Sequence, residues 1–324
     1  MLLPGILLAG AVAVLAVVCS RFAPLVGAPV FAIVLGVAIR ALMRVPAACK
    51  PGIAFSARTV LQTAIVVSGF GLSLAVVART GLGTLPVTLG TVAVALLLAP
   101  LLGRVLRIGG TLHMLVGVGT AICGASAIAA VSSVIEPEEA EIALAIATVF
   151  FYNIVAVLVF PPIGHALHLT QDAFGLWAGT AINDTSSVVA AGFAYGREAG
   201  DHATIVKLTR ATLILPIVAA LALWRARRKR GEGTHVPWRR IVPWFILWFL
   251  VAALVNSTGV IPPGWHAGIG TVAIFLISVA LAAIGLQTEL ARLLRTGARP
   301  LALGFFLWLA VALSSLAIQR ATGS

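Results

Sequence analysis

Gly179-Thr180-Ala181-Ile182-Asn183-Asp184-Thr185-Ser186-Ser187 decides how this chain is read. The run sits inside a long apolar segment. Asp184 is the one carboxylate among ten acids that falls in the middle of an expected membrane span. The other nine read as loop or span-end residues. An ionisable group at membrane depth is costly, so it marks a functional position unless something else explains it. Sixty positions earlier a second copy appears, Gly119-Thr120-Ala121-Ile122-Cys123-Gly124-Ala125-Ser126-Ala127-Ile128. Two small, polar interruptions of apolar segments in corresponding places point to a transporter binding site.

Working outward, the surroundings are lipid-compatible throughout. Hydrophobic residues are 60% of the 324 and charged ones 10%, with mean hydropathy +1.10. No soluble domain buries such a fraction, so the chain reads as one all-α polytopic membrane domain over 1–324. Its net charge of +12 is gathered in short loops, which is the distribution of topology determinants rather than of a nucleic-acid surface. Three cysteines, Cys19, Cys49 and Cys123, make no disulfide framework. The first span, with no basic leader, reads as retained.

Apolar runs of about 20 residues occur eleven times, near 2–19, 25–43, 59–78, 85–106, 111–135, 140–162, 173–194, 204–224, 241–258, 266–287 and 300–319. With eleven crossings, Arg40, Arg44, Lys50 and Arg58, then Arg104 and Arg107, the basic 225–240 linker, and Arg292, Arg295 and Arg299 share one face. The positive-inside rule makes that face cytoplasmic, with the N-terminus inside and the C-terminus outside. The acids Glu136, Glu138, Glu139 and Glu141 then fall outside. A second picture makes the fifth and seventh segments re-entrant hairpins, leaving nine crossings. The two motifs then enter from opposite faces, and the basic clusters still share one side.

Polar residues within the spans supply the candidate site. These are Thr120, Cys123, Gly124 and Ser126 in the fifth segment, Asn153 in the sixth, and Asn183, Asp184, Thr185, Ser186 and Ser187 in the seventh. Gln287 closes the tenth after Gly285. Broken helix ends at such places offer free N–H groups to an anion or free carbonyls to a cation. The bland alternative is that Ser, Thr and Gly let helices pack closely; Ser132 and Ser133 belong there. Lys207 and Arg210 read as snorkelling at the outer end of the eighth segment, with pairing to Asp184 as the sharper alternative. No metal-ligand spacing and no nucleotide motif occurs, so no metal site, cofactor or direct ATP coupling is expected, beyond a Na⁺ at Asp184.

Cys123-Gly124-Ala125-Ser126-Ala127-Ile128, Asn183-Asp184-Thr185-Ser186-Ser187-Val188 and Gly285-Leu286-Gln287-Thr288 resemble the YeiH family of bacterial inner-membrane proteins, commonly labelled sulfate exporters. The resemblance covers essentially the whole chain. It implies a likeness to the superfamily of bile-acid symporters and cation/proton antiporters, with inverted repeats of about five helices, each with a broken helix, moving as an elevator. Matching segments two to six with seven to eleven pairs the fifth with the tenth. The reading is therefore a secondary transporter of a small anionic solute such as sulfate or a sulfonate, a homodimer being open. Asp184 is expected to couple a proton or Na⁺. An ion channel or passive anion pore is the alternative. An intramembrane aspartyl protease would need a second carboxylate at depth, so no enzyme is expected.

Overall fold

The structure is a computed structural model describing residues 2–22, 27–228, 242–289 and 297–323. It is helical throughout the described residues. The chain runs α1 Leu3–Ser20, α2 Gly27–Leu42, α3 Lys50–Phe55, α4 Leu61–Gly69, α5 Leu74–Gly83, α6 Leu85–Val105, α7 Leu112–Ala121 and α8 Ala125–Ile135. It continues through α9 Glu139–Ala166, α10 Gln171–Ala181, α11 Thr185–Tyr195, α12 Arg197–Thr212, α13 Ile214–Arg228, α14 Trp244–Ser257, α15 His266–Gln287 and α16 Ala298–Thr322. Seven runs are long and apolar enough to span a bilayer, including the composite Ala47–Gly69 and Arg197–Leu223. The composite 47–69 run contains a π-helical turn at Ser56–Val60. The third span therefore begins earlier than the expected 59–78 and ends at Gly69, where α4 gives way to a turn before α5.

The fifth and seventh segments are re-entrant hairpins. In the first, Gly119 at the end of α7 faces Ile128 on α8, and the start of α7 returns beside the start of α9: the Glu141 carboxylate accepts hydrogen bonds from Thr111 N (2.8 Å), Leu112 N (3.2 Å) and Thr111 Oγ1 (2.6 Å). That carboxylate caps the positive end of α7. In the second, Phe174 near the start of α10 stacks on Tyr195 at the end of α11, with ring centroids 3.8 Å apart. The 28-residue α9 joins the two bases. The hairpins therefore enter from opposite faces, and the shorter apolar helices α2 and α14 stand beside the seven long runs among the described residues.

This geometry corrects the placement of the acids at 136–141. They lie at the base of the first hairpin, on the face of Arg104 and Arg107, because a hairpin returns the chain to the side it left. Gly27, opening α2, lies against Ala194 at the base of the second hairpin. The far end of α2, where Arg40 pairs with Glu289, is thus on the first hairpin's face. From residue 229 the basic linker lies outside the described residues, as do Arg292 and Arg295.

The helices sort into two bundles. One holds α1–α4, α14 and α15, with α2 and α15 in backbone contact: a Cβ added at Gly36 would come 2.5 Å from Ala282 O, and one at Gly285 would come 2.4 Å from Ile33 O. Only glycine permits that approach. The other holds α6–α13 and α16 around the hairpins. α11 packs against α2 and α15 at the seam. The expected pairing of the fifth segment with the tenth is not what the fold contains, since α15 is unbroken from His266 to Gln287. The inverted unit is shorter, a hairpin followed by a crossing helix, α7–α9 and α10–α12. Gly119 meets Val149 of α9, and Gly179 meets Val206 of α12. Each glycine is the slot through which the following helix passes its own hairpin.

Candidate functional site

Each hairpin tip is written into its repeat of Gly-Thr-Ala-Ile. In the first, Ile122 leaves the helix (φ −121°, ψ −87°), and Gly124 takes φ +69°, ψ −129° to start α8. That backbone region is open to glycine and strained for other residues. In the second, Ile182 is extended and Asp184 becomes the N-cap of α11, its carboxylate accepting from Ser186 N at 2.9 Å and from the Ser186 hydroxyl. Short polar side chains at that position hold the otherwise unpaired N–H groups of a first turn.

The tips touch. A Cβ built on Gly124 would lie 3.6 Å from Asp184 Cβ. The contact falls halfway along α9, where Asn153 Oδ1 accepts from the backbone N–H of Asn183 (3.2 Å) and of Asp184 (3.1 Å). On the other side stands α12. Lys207 Nζ donates to Ile122 O at 2.8 Å and to Ile182 O at 2.9 Å, one carbonyl from each tip. Arg210 Nε donates to Ala121 O (2.7 Å), Nη2 to Thr120 O (2.6 Å), and Nη1 to the Thr180 carbonyl. Both side chains are 0% exposed. Among the described residues neither has a carboxylate within 4.0 Å.

Lys207 and Arg210 therefore do not snorkel. The eighth span begins at Arg197 rather than near 204, so both cations lie at mid-depth. Their partners are backbone carbonyls at the C-terminal ends of α7 and α10, where helix dipoles are negative. Asn153 and Arg210 occupy equivalent places in the inverted unit, each four residues beyond the valine that crosses its hairpin glycine.

The remaining candidates divide. Thr120, Cys123, Gly124, Asn183, Ser186 and Ser187 are buried at the tips, while Asp184 and Thr185 are half-buried and Ser126 is exposed. The Thr180 hydroxyl shares a 2.7 Å hydrogen bond with Ser315 of α16. Asn183 Oδ1 is buried with no partner. Gln287 is not brought to the tips: it ends α15 in the other bundle, about 15 Å of helix rise from that helix's middle. The first tip is left less complete than the second. No side chain caps α8 at Gly124, and the next two residues reach the surface.

By unit charges on Lys207, Arg210 and Asp184 and roughly half a charge at each of four helix ends, the tip region carries a net charge of about +1. An uncapped helix N-terminus beside an excess of positive charge is chemistry that would suit an anion.

A family model described as Conserved hypothetical protein 698 matches residues 4–304. A UPF0324 membrane protein of Streptococcus pyogenes serotype M3 is 42% identical over 99% of this chain and 97% of its own length. One of Fusobacterium nucleatum is 38% identical over 98% of both chains, and one of Streptococcus pneumoniae serotype 4 is 39% identical over 98% and 97%. No solved structure gave a significant match.

Proposed function

The chain belongs to the Conserved hypothetical protein 698 family of UPF0324 membrane proteins, the YeiH-type family its motifs resemble, and on that premise we propose that it is a secondary transporter of a small anion. The solute class is sulfate, a sulfonate or a dicarboxylate, moved with a proton or Na⁺. The observation that carries this reading is the excess positive charge where two opposed hairpin tips meet at mid-depth, beside the uncapped start of α8. A charge buried in lipid is retained where it meets a mobile counter-charge or lines its path. Opposed hairpins support alternating access, because each closes the site from one side only. The hairpin bundle would move against the α1–α4, α14 and α15 bundle along the α11 seam.

Arg40, Arg104 and Arg107, on the first hairpin's face, make that face cytoplasmic by the positive-inside rule. The N-terminus is then inside and the C-terminus outside, in a bacterial inner membrane. The chain is not read as an enzyme.

Purified protein in liposomes, screened against sulfate, methanesulfonate and succinate with and without a pH gradient, tests the reading. Saturable uptake of one of them driven by a proton or Na⁺ gradient is expected. Unsaturable flux would make the protein a pore, and no flux of any anion would remove the anion reading.

A further inference from the structure

Asp184 was the natural sequence candidate for coupling, yet its bonds are those of a helix cap, and it is half-exposed. Lys207 has a different setting. It is wholly buried, donates to one carbonyl from each hairpin, and sits one turn from the guanidinium of Arg210. Its third N–H has no partner among the described residues. The ionisable groups facing it are Arg210 on its own helix, the Cys123 thiol from the first tip and the Asp184 carboxylate from the second. Among the described residues, the other elements packed on α12 present none at this depth. α6 brings Val87, and α13 brings Ile214 and Val218. Arg79 of α5 is exposed, and Asp172 of α10 bonds His202 at the hairpin base. Asp201 lies two turns outward, beside Arg197.

We infer that Lys207 is the proton-loading residue of this site, its ammonium tying the two hairpin tips together and its neutral amine releasing them. This rests on the anion reading above and names the coupling within it. The step balances simply: the ammonium gives one proton to water and leaves an amine with two N–H groups and a lone pair. Both tip bonds survive in number but lose their charge assistance, which is about half the strength of such a bond. Arg210, whose guanidinium donates to three tip carbonyls, holds the tips in register while Lys207 titrates. With Lys207 neutral the tip region's net charge falls from about +1 to about zero, by the same helix-end estimate. An anion and a proton are then taken up together, and they leave together.

The test needs no solute. Hydrogen exchange of the full-length protein is followed from pH 5 to pH 10 in peptides covering 112–135 and 171–195, with peptides from α9 and α16 as controls. Rates are corrected for the intrinsic base catalysis of exchange. The wild type should show both tips opening together through one titration, with an excess of about tenfold in exchange and no step in the controls. Lys207→Arg, which cannot titrate, should abolish the step. Lys207→Gln should exchange at the high-pH limit throughout, and it serves if the arginine does not fit the slot. Flat wild-type tips, a step shared with the controls, or a step that persists in either variant would overturn the assignment. A failed transport screen together with a Lys207-dependent step would overturn the anion reading alone.

Discussion

The two hairpin tips have the same opening sequence and opposite fittings. The second is closed by protein groups: Asp184 caps its own helix, and Asn153 holds the N–H groups of Asn183 and Asp184. The first has no cap at all, only Gly124 in a conformation that other residues adopt at a cost. Both share the same cations at their carbonyl ends. The difference teaches that one repeated opening can be closed in two ways, with two or three side chains deciding which. One tip is closed by side chains of the protein, and the other has no side-chain cap.

Removing what the tips share should have the largest effect. Arg210→Met strands three buried carbonyls, so it should cost about 3–5 kcal/mol. A thermal-unfolding scan in detergent would show a large loss of stability or no folded protein. A midpoint within a degree or two of wild type would mean the tips do not depend on that clamp. The next change falls on the first tip alone. Gly124→Ala meets no severe clash, since the nearest atoms to the new Cβ are 3.5 Å away on Val149 and 3.6 Å on Asp184. Its cost of about 1–3 kcal/mol is backbone strain, and the site should lose anion uptake before it loses the fold. Uptake kinetics unchanged from wild type would erase the distinction between the tips. The smallest effect is at the second tip. Asp184→Asn retains a good N-cap and should change stability by less than about 0.5 kcal/mol. Gradient-driven uptake should keep its pH dependence in that variant. Loss of the pH dependence would return the coupling role to the carboxylate.

The sequence made the two tips legible because their breaks are local: a glycine needing a left-handed φ, and a small polar N-cap after an isoleucine. Lys207 and Arg210 were misplaced for a reason that is also physical. Hydropathy measures fitness for lipid, and α12 barely touches lipid. Ala199, Gly200, the run from Ala203 to Leu208, Arg210 and Ala211 are all buried, with both arms of the second hairpin wrapped on the helix. Its polar first half therefore looked like a loop, the span was begun seven residues late, and two mid-depth cations were read as interfacial. The equivalence of Asn153 and Arg210 was hidden for another reason. The two side chains share no chemistry, only a position relative to a glycine slot. The acids at 136–141 change face when the first hairpin is not a crossing, and a positive-inside argument is blind to that choice because the second hairpin restores the parity before the next basic loop.

The arms of the hairpins also act as a ruler. α7 has 10 residues and α10 has 11, so at about 1.5 Å per residue the inbound arms together reach about 32 Å, close to the roughly 30 Å of hydrocarbon they must cross. Neither has slack to give. A thicker bilayer would then draw the two bases apart and unload the contact between Gly124 and Asp184, and a thinner one would press the tips together. On these lengths, a bilayer of different thickness would be felt first where the tips meet, the point farthest from either surface.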